Sequence, residues 1–167
     1  SFDNEGNMYI SRESFYENEY VKDPESNNIT SLLGIYKINK GDKNVIALNI
    51  NSVEYSIKNP SISSDGKTLY FASDMPGGFG EFDIYRGSID EKGDINNVEN
   101  LGQKVNTEGQ EMFPFIGNKN NLYFSSDSQL GLGGLDVFFT KEVDGKWASV
   151  RNVGIPVNSN ADDFAFS

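Results

Sequence analysis

The chain has 167 residues with 14 basic and 25 acidic side chains, a formal net charge of −11, which repels a phosphate backbone and an anionic membrane surface alike and argues against nucleic acid as a partner. It contains no cysteine, which excludes disulfides, thiolate metal ligands and thiol catalysis, and no histidine, which removes Ser-His-Asp and Cys-His mechanisms and the usual zinc ligands. No run approaches the roughly 18 apolar residues of a membrane-spanning helix, so no direct membrane insertion is expected. The opening Ser1-Phe2-Asp3-Asn4-Glu5 lacks the regions of a secretory signal, and the missing initiator Met points to a processed or excised chain.

Taken in chain order, the first strand-like run is Asn7-Met8-Tyr9-Ile10-Ser11, after Phe2 and an Asn4-Glu5-Gly6 turn, and its second run is Gly34-Ile35-Tyr36-Lys37. Pro60-Ser61-Ile62-Ser63 leads through Ser64-Asp65-Gly66-Lys67 into Leu69-Tyr70-Phe71-Ala72-Ser73-Asp74. A glycine-rich turn (Met75 to Gly80) and Phe82-Asp83-Ile84-Tyr85 follow. The whole pattern then recurs. Phe113-Pro114-Phe115-Ile116, an Asn-rich turn and Leu122-Tyr123-Phe124-Ser125-Ser126-Asp127 precede a second glycine-rich turn (Ser128 to Gly134) and Leu135-Asp136-Val137-Phe138, with Tyr123 standing 53 residues after Tyr70. Each unit also ends alike, in Asn100-Leu101-Gly102-Gln103-Lys104-Val105-Asn106 and in Asn152-Val153-Gly154-Ile155-Pro156-Val157-Asn158. Val45 to Ile50 is expected at that place in the first unit.

Asp-Gly and Asn-rich turns tolerate positive φ at little cost, as tight hairpins require, and β-branched and aromatic residues fill the runs between them. Each unit therefore reads as four short strands, and no segment carries a helical period. Self-similar four-stranded units in tandem are the blades of a β-propeller; a β-sandwich also has many short strands, but its strands do not normally repeat. The expectation is an all-β chain of about three antiparallel blades: 1–56, carrying a 12-residue insertion relative to the later units, then 57–109 and 110–161, with 162–167 opening a further blade. Propellers close with about four to eight blades, so three blades predict part of a longer propeller or a ring completed by another copy.

The run Pro60 to Asp74, ending in Phe82-Asp83-Ile84-Tyr85, resembles the TolB-type, WD40-like propeller repeat. Gly131-Leu132-Gly133-Gly134-Leu135-Asp136-Val137-Phe138, with Val153 to Ser159 and Asp162-Asp163-Phe164, is similar to the propeller region of OmpA-family envelope proteins, including the periplasmic lipoproteins of type IX secretion. The likeness is strong from Pro60 onward and weak before it. It implies a non-catalytic scaffold, periplasmic and outer-membrane-associated, whose partners are other envelope proteins. Peptidoglycan would be reached only through domains absent from these residues.

The candidate chemistry has structural alternatives. Asp74/Asp83 and Asp127/Asp136 have the look of paired carboxylates or calcium ligands, but a repeated hairpin gives the same spacing, and an Asp there can brace a glycine-rich turn. Ser63 to Tyr70 partly resembles the Asp-box turn of sialidase propellers, itself structural. The glycine-rich turns lack the following helix that a phosphate cradle needs. No catalytic residue, cofactor or metal ligand is assigned. The aromatic residues are expected between blades and Trp147 over an outer strand; a glycan-binding module and a fragment of a propeller hydrolase are the alternative functions. The insertion is the one segment that the repeat does not demand, and Phe15, Tyr16 and Tyr20 within it are the candidate partner contacts.

Overall fold

The computed structural model describes residues 1–13, 21–22, 29–30 and 32–164. Three antiparallel sheets follow one another along the chain. The first joins β1 (Met8–Glu13), β4 (Leu33–Ile38) and β5 (Ile46–Ala47) in the order β1-β4-β5; β2 (Val21–Lys22) and β3 (Ile29–Thr30) pair separately within the insertion. Phe2 adds an isolated bridge to Met8 at the free side of β1. The second sheet is a meander of β6 (Ile57–Ile62), β7 (Thr68–Ser73), β8 (Asp83–Ile89) and β9 (Ile95–Asn100). The third repeats it with β10 (Glu111–Gly117), β11 (Asn121–Ser126) and β12 (Asp136–Val143), while its outer strand is divided into β13 (Lys146–Trp147) and β14 (Arg151–Asn152), both paired with β12. A 3-10 turn at Asn118–Asn120 is the one helical element among the described residues, and none of their helices is long and apolar enough to cross a membrane.

Strand registers confirm the residue correspondence read from the repeat. Tyr9 lies opposite Lys37, Tyr70 opposite Arg86 and Tyr123 opposite Phe139. The first strands of sheets two and three share a further detail. Each has a bulge, between Lys58 and Ser61 and between Met112 and Phe115, where Asn59 and Phe113 take positive φ of 55° and 52°. Pro60 and Pro114 follow these residues on edge strands, where a proline's missing N–H interrupts no ladder.

Two separate cores explain how the sheets stack. Leu69 and Phe71 point to one face of β7 and Tyr70 to the other, as the two-residue strand period requires. Leu69, Phe71, Ile57, Tyr85 and Ile95 pack with Tyr9, Ile35 and Leu48 of the first sheet. Tyr70, Ile84, Leu101 and Val105 pack instead with Ile116, Leu122, Phe124, Phe138 and Trp147 of the third. The middle sheet is therefore buried on both faces by its sequence neighbours, a serial stack rather than the two facing sheets of a sandwich. Polar bonds cross both junctions. The N–H of Asn59 donates to Ser11 Oγ (2.8 Å), and that of Ile116 to Ser61 Oγ (3.0 Å). The Asn49 amide pairs with both the N–H and the carbonyl of Ile95 at 2.8 and 2.9 Å.

Arg86 adds an ionic contact at the second junction. It reaches Glu99 of its own sheet at 2.6 Å and Glu142 of the third at 2.8 Å, with its guanidinium 5.9 Å from the Trp147 ring centroid. Its aliphatic stem also covers apolar surface. Arg86→Met keeps most of that cover and leaves the largely buried Glu142 without its cation, so a loss of about 1–2 kcal/mol is expected in urea denaturation. The added loss on Glu99→Gln in the same background should be near zero.

Candidate functional site

The residues with the look of chemistry gather at one end of the sheets, where β7 turns into β8, β11 turns into β12, and the linkers run on to the next sheet. Asp83 and Asp136 open β8 and β12, each only 1% exposed. Asp83 accepts from the N–H of Phe79 at 2.6 Å, the N–H of Gly80 at 3.2 Å and Asn100 Nδ2 at 2.7 Å. Asp136 accepts from the N–H of Leu132 at 2.6 Å and of Gly133 at 2.9 Å, both at Oδ2, and its Oδ1 is buried with no donor. Each carboxylate thus folds a glycine-rich turn down over itself. The glycines are required by space: a Cβ on Gly78 or Gly131 would meet the Asp carboxylate, and one on Gly80 or Gly133 would strike backbone carbonyls of the following linker, those of Gly109 and Thr107 or that of Ala161.

The repeated endings form the second half of the device. Asn100 and Asn152 accept from the N–H of Gly102 (2.8 Å) and Gly154 (2.7 Å), residues held at φ +81° and +75°, where glycine is unstrained. The same side-chain oxygens accept from the Nδ2 atoms of Asn106 (2.7 Å) and Asn158 (2.8 Å). Asn106 then behaves as a piece of strand. Its Oδ1 takes the N–H of Ile84 (2.8 Å) and its Nδ2 donates to the Ile84 carbonyl (3.0 Å). Asn158 does the same for Val137, and Asn51 for Ile35, all bonds at 2.8 Å. In the first sheet Gly34 faces Arg12 where Asp83 faces Ser73, and Ala47 faces Tyr36 where Asn100 faces Tyr85, so the acid and its amide partner are lost together where the insertion replaces the turn.

A third buried acid, Glu111, begins β10 with no exposure. It accepts from the Thr107 N–H and Thr107 Oγ1, both at 2.7 Å, and from Ser126 Oγ at 2.6 Å. Ser159 and Asp163 repeat the linker contact at 2.6 Å, and the N–H of Asp163 reaches the Leu135 carbonyl as that of Glu111 reaches Phe82, both at 2.7 Å. Burial pushes the Glu111 carboxyl up from its ordinary value, against the lowering effect of the Ser126 and Thr107 bonds. A raised folded value stabilises the fold fully below the unfolded glutamate range, and that contribution is lost as pH rises through the folded value. The stability of Glu111→Gln relative to the natural chain is therefore expected to increase upward from about pH 4, as read from urea denaturation at a series of pH values.

Asp74 and Asp127 are exposed and do other work. Their Oδ1 atoms take the N–H of Ser56 (2.7 Å) and of Gln110 (2.8 Å), closing the open end of each first hairpin. The pairs Asp74/Asp83 and Asp127/Asp136 are thus split between a surface latch and a buried brace, and among the described residues no group of three or more carboxylates is placed to hold a metal ion. At the opposite end Ser63 and Asp65 bond each other at 2.6 Å and cap their own hairpin, as an Asp-box-like turn would. Trp147 is buried between sheets two and three, edge-on to Tyr70 at 6.4 Å. Phe15, Tyr16 and Tyr20 lie outside the described residues.

The amides Asn51, Asn106 and Asn158 escaped the residue reading as a group. Asn106 and Asn158 ended a recognised repeat, but Asn51 follows a linker two residues shorter between Leu48 and the amide than that after Leu101, and a fixed offset does not find it.

No family model matches the chain, and no curated protein matches its sequence. Among solved structures it is similar to a TolB-type protein of Agrobacterium tumefaciens, with a TM-score of 0.51 and 20% identity over 75% of this chain and 39% of that one. The chain spans about two fifths of that protein's length. At this identity the likeness is one of fold, and with the serial stack of antiparallel sheets it makes the chain a TolB-like partial β-propeller.

Proposed function

We propose that the chain is a non-catalytic, protein-binding scaffold of a bacterial envelope protein, periplasmic and working within a secretion or outer-membrane-anchoring assembly. The observation that carries this reading is the use of the buried polar groups. Asp83, Glu111, Asn106 and Asn158 are consumed in holding turns and linkers, and the same contacts recur from sheet to sheet, whereas a catalytic site is an asymmetric feature grafted on a fold. The TolB-type fold and the resemblance of the third repeat to OmpA-family envelope propellers support the envelope assignment. Peptidoglycan attachment belongs to domains other than this one.

The test is site-specific photo-crosslinking of the chain in periplasmic extract, run beside a glycan array and a panel of chromogenic glycosides and esters. A stoichiometric adduct with an envelope protein, without turnover or saturable glycan binding, is the expected result. Turnover abolished by Asp83→Asn or Asp136→Asn would establish a hydrolase instead.

A further inference from the structure

The end that carries the buried acids also displays apolar side chains on its turns. Phe79 is 41% exposed, Leu132 54%, Leu130 94% and Ile155 81%. Comparison within the repeat separates display from an uncovered sheet face. Val157 is 38% exposed where its counterpart Val105 is fully buried by the third sheet, so Val157 is a sheet-packing residue. Phe79, the counterpart of Leu132, stays exposed with the third sheet in place beside it, and Gly77 and Gln103, the counterparts of Leu130 and Ile155, are exposed as well. Exposure at these turn positions therefore belongs to the position.

The turns are also anchored. The backbone amides of Phe79 and Leu132 are the ones bonded to Asp83 and Asp136, so each apolar side chain stands on a residue anchored to a buried carboxylate. Anchoring lowers the ordering entropy lost on binding.

Charge selects the partner. Exposed Glu54, Asp74, Glu81, Glu108, Asp127 and Asp162 lie on the same turns and linkers, and the ion pairs among the described residues involve Arg86 with Glu99 and Glu142 alone. The cations at this end are few: Arg12 lies over the Tyr36 ring at 4.6 Å, Lys58 Nζ sits 3.4 Å from the Phe82 ring centroid in the field of Asp74, and Lys104 Nζ donates to the Trp147 carbonyl. At the opposite end acids and lysines share most of the turns, as in Asp42-Lys43, Asp65-Gly66-Lys67, Asp90-Glu91-Lys92 and Asp144-Gly145-Lys146, and the Asn118–Asn121 turn carries Lys119 with no acid. The strip is continuous, since Glu81 accepts from Gln110 Nε2 (2.6 Å), Asp127 from the Gln110 N–H, and Asp162 from the N–H of Leu135 (3.0 Å).

We propose that this end is the docking surface, and that it takes a cationic protein segment whose apolar side chains seat against Phe79, Leu130 and Leu132. The proposal rests on the protein-binding reading above and names its surface. Apolar anchors within a charged rim are the pattern of an interface, and the acidic field steers a basic partner toward it.

The test is titration of the intact chain with a short peptide alternating lysine and leucine, followed by amide NMR shifts, with a glutamate-leucine peptide as control. Expected are shifts at residues 77–81, 108–110 and 127–134, and affinity roughly tenfold weaker in Phe79→Ser/Leu132→Ser. Glu54→Gln/Glu108→Gln should reduce the salt dependence. All four substitutions are at exposed positions, and melting curves matching the natural chain confirm intact folding. Glu91→Gln/Val143→Ser at the opposite end should bind unchanged. Equal weakening by the opposite-end pair, no binding of the basic peptide, or equal binding of the acidic one would overturn the assignment. The crosslinking adduct would survive each of those results, which separates failure of this surface from failure of the protein-binding reading.

Discussion

Asp83→Ala is expected to lower the unfolding free energy by about 3–4 kcal/mol, the loss that follows when several buried donors lose one charged acceptor. Three donors depend on it: the N–H groups of Phe79 and Gly80 and the Asn100 amide. The Gly80 N–H cannot turn to water without opening the turn, because Gly80 is pressed against the carbonyls of Thr107 and Gly109. Asp136→Ala should cost less, about 2 kcal/mol, since one of its oxygens has no donor to lose. Asp83→Asn retains the shape but sets an amide nitrogen against N–H donors, and should fall between the natural chain and alanine. Thermal melts report the order directly, with Asp83→Ala roughly 10 °C below the natural chain.

Asn106→Ala should lose about 2–3 kcal/mol, because the N–H of fully buried Ile84 loses its acceptor, the Ile84 carbonyl keeps only the Leu101 N–H, and the Asn100 oxygen loses a donor. Asn158→Ala should match it, through Val137. Asn106→Asp is the discriminating substitution. A carboxylate still accepts from the Ile84 N–H but cannot donate to the Ile84 carbonyl or to Asn100 Oδ1, and it brings an unpaired charge into a buried site. It should therefore be no better than alanine in urea denaturation. A fully stable Asn106→Asp would show that the amide is not acting as a surrogate strand.

Both substitutions probe the part of the architecture that residue patterns reveal least. The strands were legible because Leu69-Tyr70-Phe71 and Leu122-Tyr123-Phe124 combine β-formers with a regular repeat, and the registers of β7 with β8 and of β11 with β12 follow it position by position. Turn chemistry was legible too, since Asp65-Gly66 and the Asn118 to Asn121 turn occur where positive φ is needed. The bracing of a glycine-rich turn by Asp83 or Asp136 could be anticipated because the two groups are adjacent in the chain. Asn106 closing on Ile84 could not: its partners lie 22 residues earlier, and nothing in an Asn-ended linker states which backbone it will meet. Glu111 escaped notice for a related reason. It stands where Ile57 stands in the preceding sheet, opposite Ser126 as Ile57 is opposite Ser73, and a position that is apolar in one copy gives no sign that a carboxylate in the other is buried. The display of Phe79 and Leu132 was likewise hidden, because exposed and buried aromatic or aliphatic residues look alike in a sequence whose core is itself made of them.

The proposed scaffold role requires Asp83 and Asp136 to act as structural braces of their turns. Amide hydrogen exchange at Phe79, Gly80, Leu132 and Gly133, followed by NMR with and without millimolar calcium, tests it most directly. The bracing geometry predicts that these four amides are protected well beyond ordinary turn amides, that calcium leaves their rates unchanged, and that Asp83→Ala releases Phe79 and Gly80 while Leu132 and Gly133 stay protected. Exchange at the rate of an open loop, or protection that appears only when calcium is added, would contradict it and return the two aspartates to the status of a binding site.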